Sequence, residues 1–209
     1  MGANEIIFLG DAVGYIPSMR VVDHLISIDD KVICLLGNHE DMLIRGDISA
    51  EKDKVYQFSK TKKMMDLTHL EYIEKWKLSH SMVRPIGKLL FVHGSPNDPL
   101  YDYVYPDSDL SKYNTDADFV FMGNSHHPFI RKYQDTTFIN VGSCGLPRDD
   151  GRYGSVVLFD DKTGVTRVIR FDICEASART LVEYNNIHVS VTNLFDRKKQ
   201  ELFGELYGE

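Results

Sequence analysis

The sequence has no long apolar run and no signal-like start. Its apolar stretches, for example residues 5–9 and 88–92, fall far short of the roughly 18 consecutive apolar residues that a membrane helix needs. The N-terminus also lacks the basic start, apolar centre and cleavage site of a secretory signal. We therefore expect a cytoplasmic protein that does not act at a membrane.

Cysteine and basic charge are scarce as well. Cys34, Cys144 and Cys174 include no Cys-x-x-Cys pair, which argues against a disulfide framework or a zinc-thiolate site. The chain has 24 Lys and Arg against 31 Asp and Glu, a net charge of −7, and no basic run longer than residues 197–199. Tight binding to duplex nucleic acid is thereby disfavoured, whereas metal ions would still allow an anionic substrate.

What is present is the composition of one globular domain. The chain has 209 residues, 43% of them hydrophobic, which is enough for one sizeable core. We expect a domain over residues 1–172 and a helical extension over residues 173–209 that packs on it.

Apolar periodicity predicts a β-α-β unit followed by a second sheet. Runs at 5–9 and 32–36 are typical of buried parallel strands, and residues 17–28 carry an apolar helical stripe. Further helices are expected over 47–65, from Thr68 onward, over 175–184 and over 189–209. Further strands are expected at 82–86, 88–93, 118–122, 136–141, 154–160 and 165–172.

Metal-binding residue types follow four of the predicted strands. Asp11 follows the first strand, Asn38 the second, His93 a third, and Asn124 and His126 a fourth. In an open α/β sheet such loops converge on one crevice at the carboxyl ends of the strands. Taken singly, an Asp after a strand is often a turn residue and a lone His is often structural. Their joint placement favours a metal site.

Five motifs in order resemble those of the calcineurin-like metallophosphoesterases, in particular the small prokaryotic phosphodiesterase-like branch. They are Gly-Asp-Ala-Val-Gly-Tyr-Ile-Pro at 10–17, Gly-Asn-His-Glu at 37–40, Val-His-Gly-Ser-Pro at 92–96, Gly-Asn-Ser-His-His-Pro at 123–128 and Asn-Val-Gly-Ser-Cys-Gly-Leu-Pro-Arg at 140–148. The resemblance implies a four-layer α/β/β/α sandwich. It also implies two divalent metal ions at the strand ends, commonly manganese, iron or zinc, with magnesium a further alternative.

The resemblance also implies a role for each metal-binding residue. Asp11 would bridge the two ions, Asn38 and His93 would bind the second ion, and His126 would bind the first. Two such ions bind a phosphate, activate a water to hydroxide and stabilise the entering and leaving oxygens of an in-line displacement.

Four more residues are candidates for contact with the substrate. By resemblance, His39 would face the scissile phosphate and protonate the leaving oxygen or hold the phosphoryl group, with Glu40 as its orienting partner. His127 is expected to line the substrate mouth. Arg148 is a candidate for a bidentate phosphate contact, and an ion pair with Asp149 or Asp150 is its structural alternative.

Two features depart from the family. The opening Asp-x-His-Gly-Asn motif is absent, so the fold is expected to lack its first strand and helix, through truncation or a misassigned start. The strand that carries Asp11 would then have an edge open to another chain or to the C-terminal segment. Asn124 stands where the family has a histidine, and its harder amide oxygen should favour manganese or magnesium.

The leading hypothesis is a metal-dependent phosphoesterase that hydrolyses phosphodiesters or phosphomonoesters of small molecules or nucleotides. A catalytically weakened metal-binding scaffold or interaction protein of the same fold, like the retromer subunit, is the alternative. A homo-oligomer or other assembly that restores the lost strand is a third. Specificity would depend on loops 46–66 and 97–117, where Tyr101, Tyr103 and Tyr105 would either stack a nucleobase or simply pack.

Overall fold

A parallel β-α-β unit comes first in the described chain. The computed structural model describes residues 3–46, 48–184 and 186–208. In it, β1 (Ile6–Phe8) pairs in parallel with β2 (Val32–Cys34), and α1 (Arg20–Ser27) connects them. Among the described residues, no strand pairs with the second edge of β1.

Four short helices follow β2 and cover the outer side of this unit. They are α2 (Asn38–Arg45), α3 (Ala50–Tyr56), α4 (Phe58–Met64) and α5 (Leu67–Ile73). The left-handed residue Gln57, at φ 55°, separates α3 from α4 within the predicted helical region 47–65. A core that includes Val22, Leu43, Phe58 and Trp76 joins these helices to β2.

A five-stranded mixed sheet forms the centre of the fold. Its strands are β3 (Ser79–Arg84), β4 (Gly87–Val92), β5 (Phe119–Met122), β6 (Phe129–Tyr133) and β7 (Thr136–Asn140). They lie in the order β3-β4-β5-β7-β6, with β4, β5 and β7 parallel. The sequence did not predict β6, because this edge strand contains the charged residues Arg131 and Lys132 and has no buried alternation to reveal it.

A hairpin and the C-terminal residues make a third sheet. The hairpin pairs β8 (Tyr153–Phe159) with β9 (Thr166–Asp172), and α6 (Cys174–Glu183) follows. The predicted helix over 189–209 is wrong for most of its length. Of the described residues in this range, only those of α7 (Val189–Thr192) are helical, and β10 (Glu205–Leu206) adds to the open edge of β9.

Both small sheets pack on one face of the five-stranded sheet. Leu9 and Leu35 from the first unit and Val157 and Phe159 from the hairpin share one core with β4, β5 and β7. This confirms the predicted α/β architecture of two facing sheet layers. Loop 97–117, with a 3₁₀ turn at Leu110–Lys112, covers the opposite face through Val104 and Tyr113.

The helices described here are all too short or too polar to form a membrane span.

Candidate metal centre

Side chains from four loops meet at one edge of the two sheet layers. Asp11 follows β1, Asn38 opens α2 after β2, His93 follows β4, and His126 lies four residues beyond β5. The Oδ2 atom of Asp11 lies 3.4 Å from Nε2 of His93 and 3.8 Å from Nε2 of His126. Oδ1 of Asn38 lies 3.1 Å from Nε2 of His93. The structure thus brings together the four donors predicted at separate strand ends.

Backbone carbonyls orient both histidines. Nδ1 of His93 donates to the carbonyl of Leu9 at 2.6 Å, and Nδ1 of His126 donates to the carbonyl of Leu146 at 2.8 Å. A carbonyl only accepts, so the proton of each neutral ring lies on Nδ1 and the Nε2 lone pair faces Asp11. Outer hydrogen bonds of this kind fix metal-binding histidines in proteins.

The charge distribution also favours a cation at this position. Burial raises the pKa of Asp11, but His93, His39 and His126 together hold that pKa well below its usual range. Burial lowers the pKa of His93, and the Asp11 carboxylate more than reverses this. Asp11 is therefore an ionised carboxylate in a buried site. Without an ion its positive partner is a protonated histidine, and a divalent ion would supply the same charge and leave the histidines neutral.

Three residues of the centre have left-handed backbones. The φ angle is 61° at Asp11, 42° at Asn124 and 57° at His126. Such a conformation costs about 1–2 kcal/mol for a residue with a Cβ atom, so surrounding contacts must hold it. At Asp11 two hydrogen bonds hold this conformation. Its Oδ1 accepts from the His39 amide at 3.1 Å, and its own amide donates to the Glu40 carboxylate.

Glu40 holds the backbone of this site and does not contact the ring of His39. Its carboxylate accepts from the amides of Asp11 at 2.8 Å, Gly37 at 2.9 Å and Val13 at 3.1 Å. Consecutive residues of a helix point about 100° apart, so Glu40 does not reach its neighbour's ring. Burial and the nearby Asp11 raise the pKa of Glu40 to about 7. The structure thus shows Glu40 holding backbone amides, and its role as an orienting partner of His39 stays a prediction.

His39 lies in an aromatic enclosure. Its ring centroid is 4.6 Å from that of Tyr15, 4.9 Å from that of Tyr56 and 5.4 Å from that of Phe58. Nδ1 is buried with no hydrogen-bond partner among the described residues. Burial lowers the pKa of His39, although Asp11 opposes this. The neutral ring with its proton on Nε2 is therefore favoured.

Arg148 faces the same enclosure. Its Nη2 donates to the hydroxyl of Tyr15 at 2.7 Å, and its buried Nε has no partner among the described residues. The ion pair considered as its alternative is not formed, because Asp149 pairs with Arg170 and Asp150 pairs with Arg152. The guanidinium of Arg148 thus keeps donor capacity beside the metal centre.

Asn124 is turned toward loop 97–117. Its Nδ2 donates to the carbonyl of Asp102 at 2.9 Å. Its role as a metal ligand through Oδ1 stays a prediction.

Tyr103 of loop 97–117 also lies near the centre. Burial raises the pKa of Tyr103, and a contact with the Asn38 side chain opposes the rise.

His127, expected at the substrate mouth, contacts Tyr105 edge-on, with ring centroids 5.6 Å apart. Burial lowers the pKa of His127, so its ring is neutral near pH 7. The half-buried ring lies directly after His126, on the side of the centre formed by loop 97–117.

The donor set fits a divalent ion. In the part of the chain that the structure describes, no three His, Cys, Asp or Glu side chains form a ready-made metal cluster. The converging set is instead mixed, since one donor is the Asn38 amide. Ligand atoms about 2.1 Å from one ion lie about 3.0–3.5 Å apart, and His93 Nε2 has that spacing from both Asn38 Oδ1 and Asp11 Oδ2. His126, at 3.8 Å from Asp11, is placed for a second ion that shares the carboxylate.

Sequence reasoning missed the aromatic enclosure. Tyr15 lies in the loop of the first motif, Tyr56 ends α3 and Phe58 begins α4, and none of the three belongs to a residue type that marks a metal site. One signal was present: Gly14, inside the first motif, has φ 95°, and a Cβ atom there would overlap Nδ1 of His39.

Comparison with known proteins gives consistent matches. The sequence model of the calcineurin-like phosphoesterase superfamily domain matches residues 1–164. The uncharacterized protein MJ0912 of Methanocaldococcus jannaschii is 28% identical over a region that covers 84% of this chain and 79% of that protein.

Two solved structures share the fold. The hypothetical protein PH1004 of Pyrococcus horikoshii has a TM-score of 0.76 at 14% identity, over 93% of this chain and 85% of its own. A metallophosphoesterase from Sphaerobacter thermophilus has a TM-score of 0.75 at 21% identity, over 93% of this chain and 88% of its own.

Proposed function

This chain belongs to the calcineurin-like phosphoesterase superfamily, and we propose that it is a metal-dependent phosphoesterase acting on phosphodiesters or phosphomonoesters of small molecules or nucleotides. One observation carries the proposal: a buried Asp11 carboxylate faces the Nε2 atoms of two histidines whose Nδ1 atoms are both held by backbone carbonyls.

Asp11, Asn38 and His93 would hold one divalent ion, and Asp11 with His126 would hold another. When bound, such ions supply positive charge for a phosphate and lower the pKa of a water molecule. Manganese is the proposed ion, because carboxylate and amide oxygens together with imidazole suit it well. Glu40 keeps the backbone of Asp11 and Gly37 fixed, so the ligands keep their spacing.

His39 is placed to hold the phosphoryl group. Because Nδ1 faces the Gly14 backbone and Phe58, any hydrogen bond or proton that His39 exchanges with a substrate passes through Nε2. The neutral ring favoured by burial donates from Nε2 to a phosphoryl oxygen. A positioned donor in a water-poor site stabilises charge that develops in the transition state.

Arg148 supplies a positive donor beside the enclosure. Its guanidinium is tied to Tyr15 by one nitrogen, which fixes its orientation. The rest of the guanidinium would then donate an N–H to a second phosphoryl oxygen, as arginine commonly does with phosphates.

Metal binding and hydrolysis by this chain are the direct test. Isothermal titration with Mn²⁺, followed by hydrolysis of a chromogenic phosphodiester with and without Mn²⁺, should show binding and metal-dependent turnover. Asp11→Asn should lower Mn²⁺ affinity at least tenfold and abolish turnover, because it removes the carboxylate charge that both histidines face.

Asp107→Asn is the matched control, since Asp107 is exposed in loop 97–117. Equal Mn²⁺ affinity in Asp11→Asn and wild type would contradict the metal centre. Mn²⁺ binding without turnover on diester and monoester substrates would contradict the enzyme and favour the metal-binding scaffold instead.

A further inference from the structure

Three tyrosines line up on the outer side of loop 97–117. Tyr101, Tyr103 and Tyr105 are 40%, 38% and 39% exposed, whereas Val104 between the last two is 1% exposed. Because Val104 between them is buried, the partly exposed rings of Tyr103 and Tyr105 both lie outside the core of the loop. By contrast, Tyr113 of the same loop is buried in the core at 5% exposure. The outward rings therefore do not serve to fill the core.

The loop that carries these rings is fixed to the metal centre. Asn124 donates to the carbonyl of Asp102 at 2.9 Å, and Ser125 donates through Oγ to the carbonyl of Val104 at 2.7 Å. The hydroxyl of Tyr101 donates to Oδ2 of Asp41 in α2, the helix that Asn38 opens. These three hydrogen bonds join loop 97–117 to the loop after β5 and to α2, which both carry candidate ligands, so the rings have a fixed position relative to the centre.

Two of these rings continue into a third at the mouth of the site. Tyr103 and Tyr105 are nearly parallel, with centroids 6.2 Å apart and planes 12° apart. Tyr105 meets His127 at 5.6 Å, and His127 directly follows His126. Three aromatic rings therefore form a row that ends next to the metal-centre residue His126.

We propose that Tyr103, Tyr105 and His127 form a subsite for a planar aromatic group, such as a nucleobase or an aryl ring, that is esterified to the phosphate held at the metal centre. The subsite rests on the proposed phosphoesterase function. The half-exposed ring faces offer stacking to any planar group, and stacking requires no particular pattern of hydrogen bonds. The Tyr103 side chain lies beside that of Asn38, a candidate metal ligand, so a ligand bound at the centre would reach the ring.

The affinities of two phosphonates distinguish the contribution of an aromatic ring from that of the anionic head. Phenylphosphonate and methylphosphonate share an anionic head and have a P–C bond that phosphoester hydrolysis does not cleave. Titrated calorimetrically into the Mn²⁺-loaded protein, phenylphosphonate should bind about tenfold more tightly, within the range that stacking on one aromatic side chain provides.

Tyr105→Ala should remove most of this preference and leave the affinity for methylphosphonate unchanged. Tyr207→Ala is the control, because Tyr207 is 65% exposed beside β10 and its loss should keep the preference.

Equal binding of the two phosphonates to wild type would overturn the subsite while leaving the phosphoesterase proposal intact. Equal loss of both affinities in Tyr105→Ala would also overturn it, since the ring would then support the anion site. Failure of both phosphonates to bind wild type would overturn the anion site and the subsite together.

Discussion

At the scale of single residues, Gly14 sets the room available to His39. Its φ of 95° and the overlap of an added Cβ atom with Nδ1 of His39 leave no space for a side chain, and Phe58 lies 2.8 Å from the same point. We expect Gly14→Ala to lower the free energy of unfolding by about 2–4 kcal/mol through backbone strain and overpacking. It should also lower turnover at least tenfold by displacing His39.

Thermal unfolding and phosphodiester hydrolysis check both effects. Gly145→Ala is the control, because a Cβ atom at Gly145 meets no described atom within 4 Å. A Gly14→Ala variant as stable and active as Gly145→Ala would contradict this prediction, because the aromatic residues around His39 would then accommodate the added methyl group.

His39 itself is the second residue-scale prediction. His39→Ala should lower turnover by about 10²–10³, since it removes a donor placed for the phosphoryl group. Mn²⁺ affinity should stay within about threefold of wild type, because the ring contacts aromatic side chains and the structure shows no hydrogen bond from it to the described ligands.

Calorimetry and steady-state kinetics make this measurement. His24→Ala, at an exposed position of α1, provides the matched control. Unchanged turnover in His39→Ala would remove His39 from the mechanism.

At the scale of elements, Asn124 joins the loop after β5 to loop 97–117. We expect Asn124→Ala to lower the free energy of unfolding by about 1 kcal/mol, the worth of one hydrogen bond. If the side chain serves only to hold the loop through Nδ2, Mn²⁺ affinity should change less than threefold. A tenfold loss of affinity in calorimetry would show instead that Asn124 is a ligand. Asn97→Ala, which removes a comparable amide donor to Lys112 within the loop, is the control.

The residues that follow the strands are the part of the site that could be predicted from the sequence. Asp11, Asn38 and His93 follow apolar runs, and a short apolar run between turn signals is enough to predict a strand and the edge to which it leads. The enclosure of His39 could not be predicted in this way, because Tyr15 and Phe58 reach it only through tertiary packing.

In the C-terminal segment, the sequence predicted a long helix that the structure shows for only a few residues. Leu194, Leu202 and Leu206 have spacings compatible with a helix, and the helix was predicted from them. In the structure, Gly151 donates to the carbonyl of Arg197, and Glu205 pairs with Ile169 of β9. Backbone partners distant in sequence override a local pattern, and no local pattern reveals them.

At the scale of the whole molecule, Asp150 fastens the C-terminal segment to the loop that carries Arg148. Its buried carboxylate accepts from Arg152 Nη2 at 2.7 Å and from the Lys199 amide at 2.9 Å. We expect Asp150→Asn to lower the free energy of unfolding by about 2 kcal/mol at pH 7, since it weakens several charge-assisted hydrogen bonds.

This loss should depend on pH in a defined direction. The hydrogen bonds from Arg152 hold the pKa of Asp150 well below its usual range. A lowered pKa stabilises the fold above the unfolded value of about 4, and this contribution disappears as pH falls from there toward the folded value. Urea unfolding should therefore show a constant difference between wild type and Asp150→Asn from pH 5 to 8 and a shrinking one below pH 4. A difference that is unchanged at pH 3 would contradict the linkage, and Asp107→Asn should show none.

The left-handed backbones of Asp11 and His126 have a consequence for cofactor loading. Their strain is already present and balanced by hydrogen bonds in the described chain, so ion uptake does not have to order the loops. The free energy of unfolding should then increase by the full free energy of Mn²⁺ binding. This increase should rise with the logarithm of the free Mn²⁺ concentration once that concentration exceeds the dissociation constant. The slope of the unfolding free energy against urea concentration should be the same with and without the ion, because the ion-free and ion-bound proteins bury the same surface.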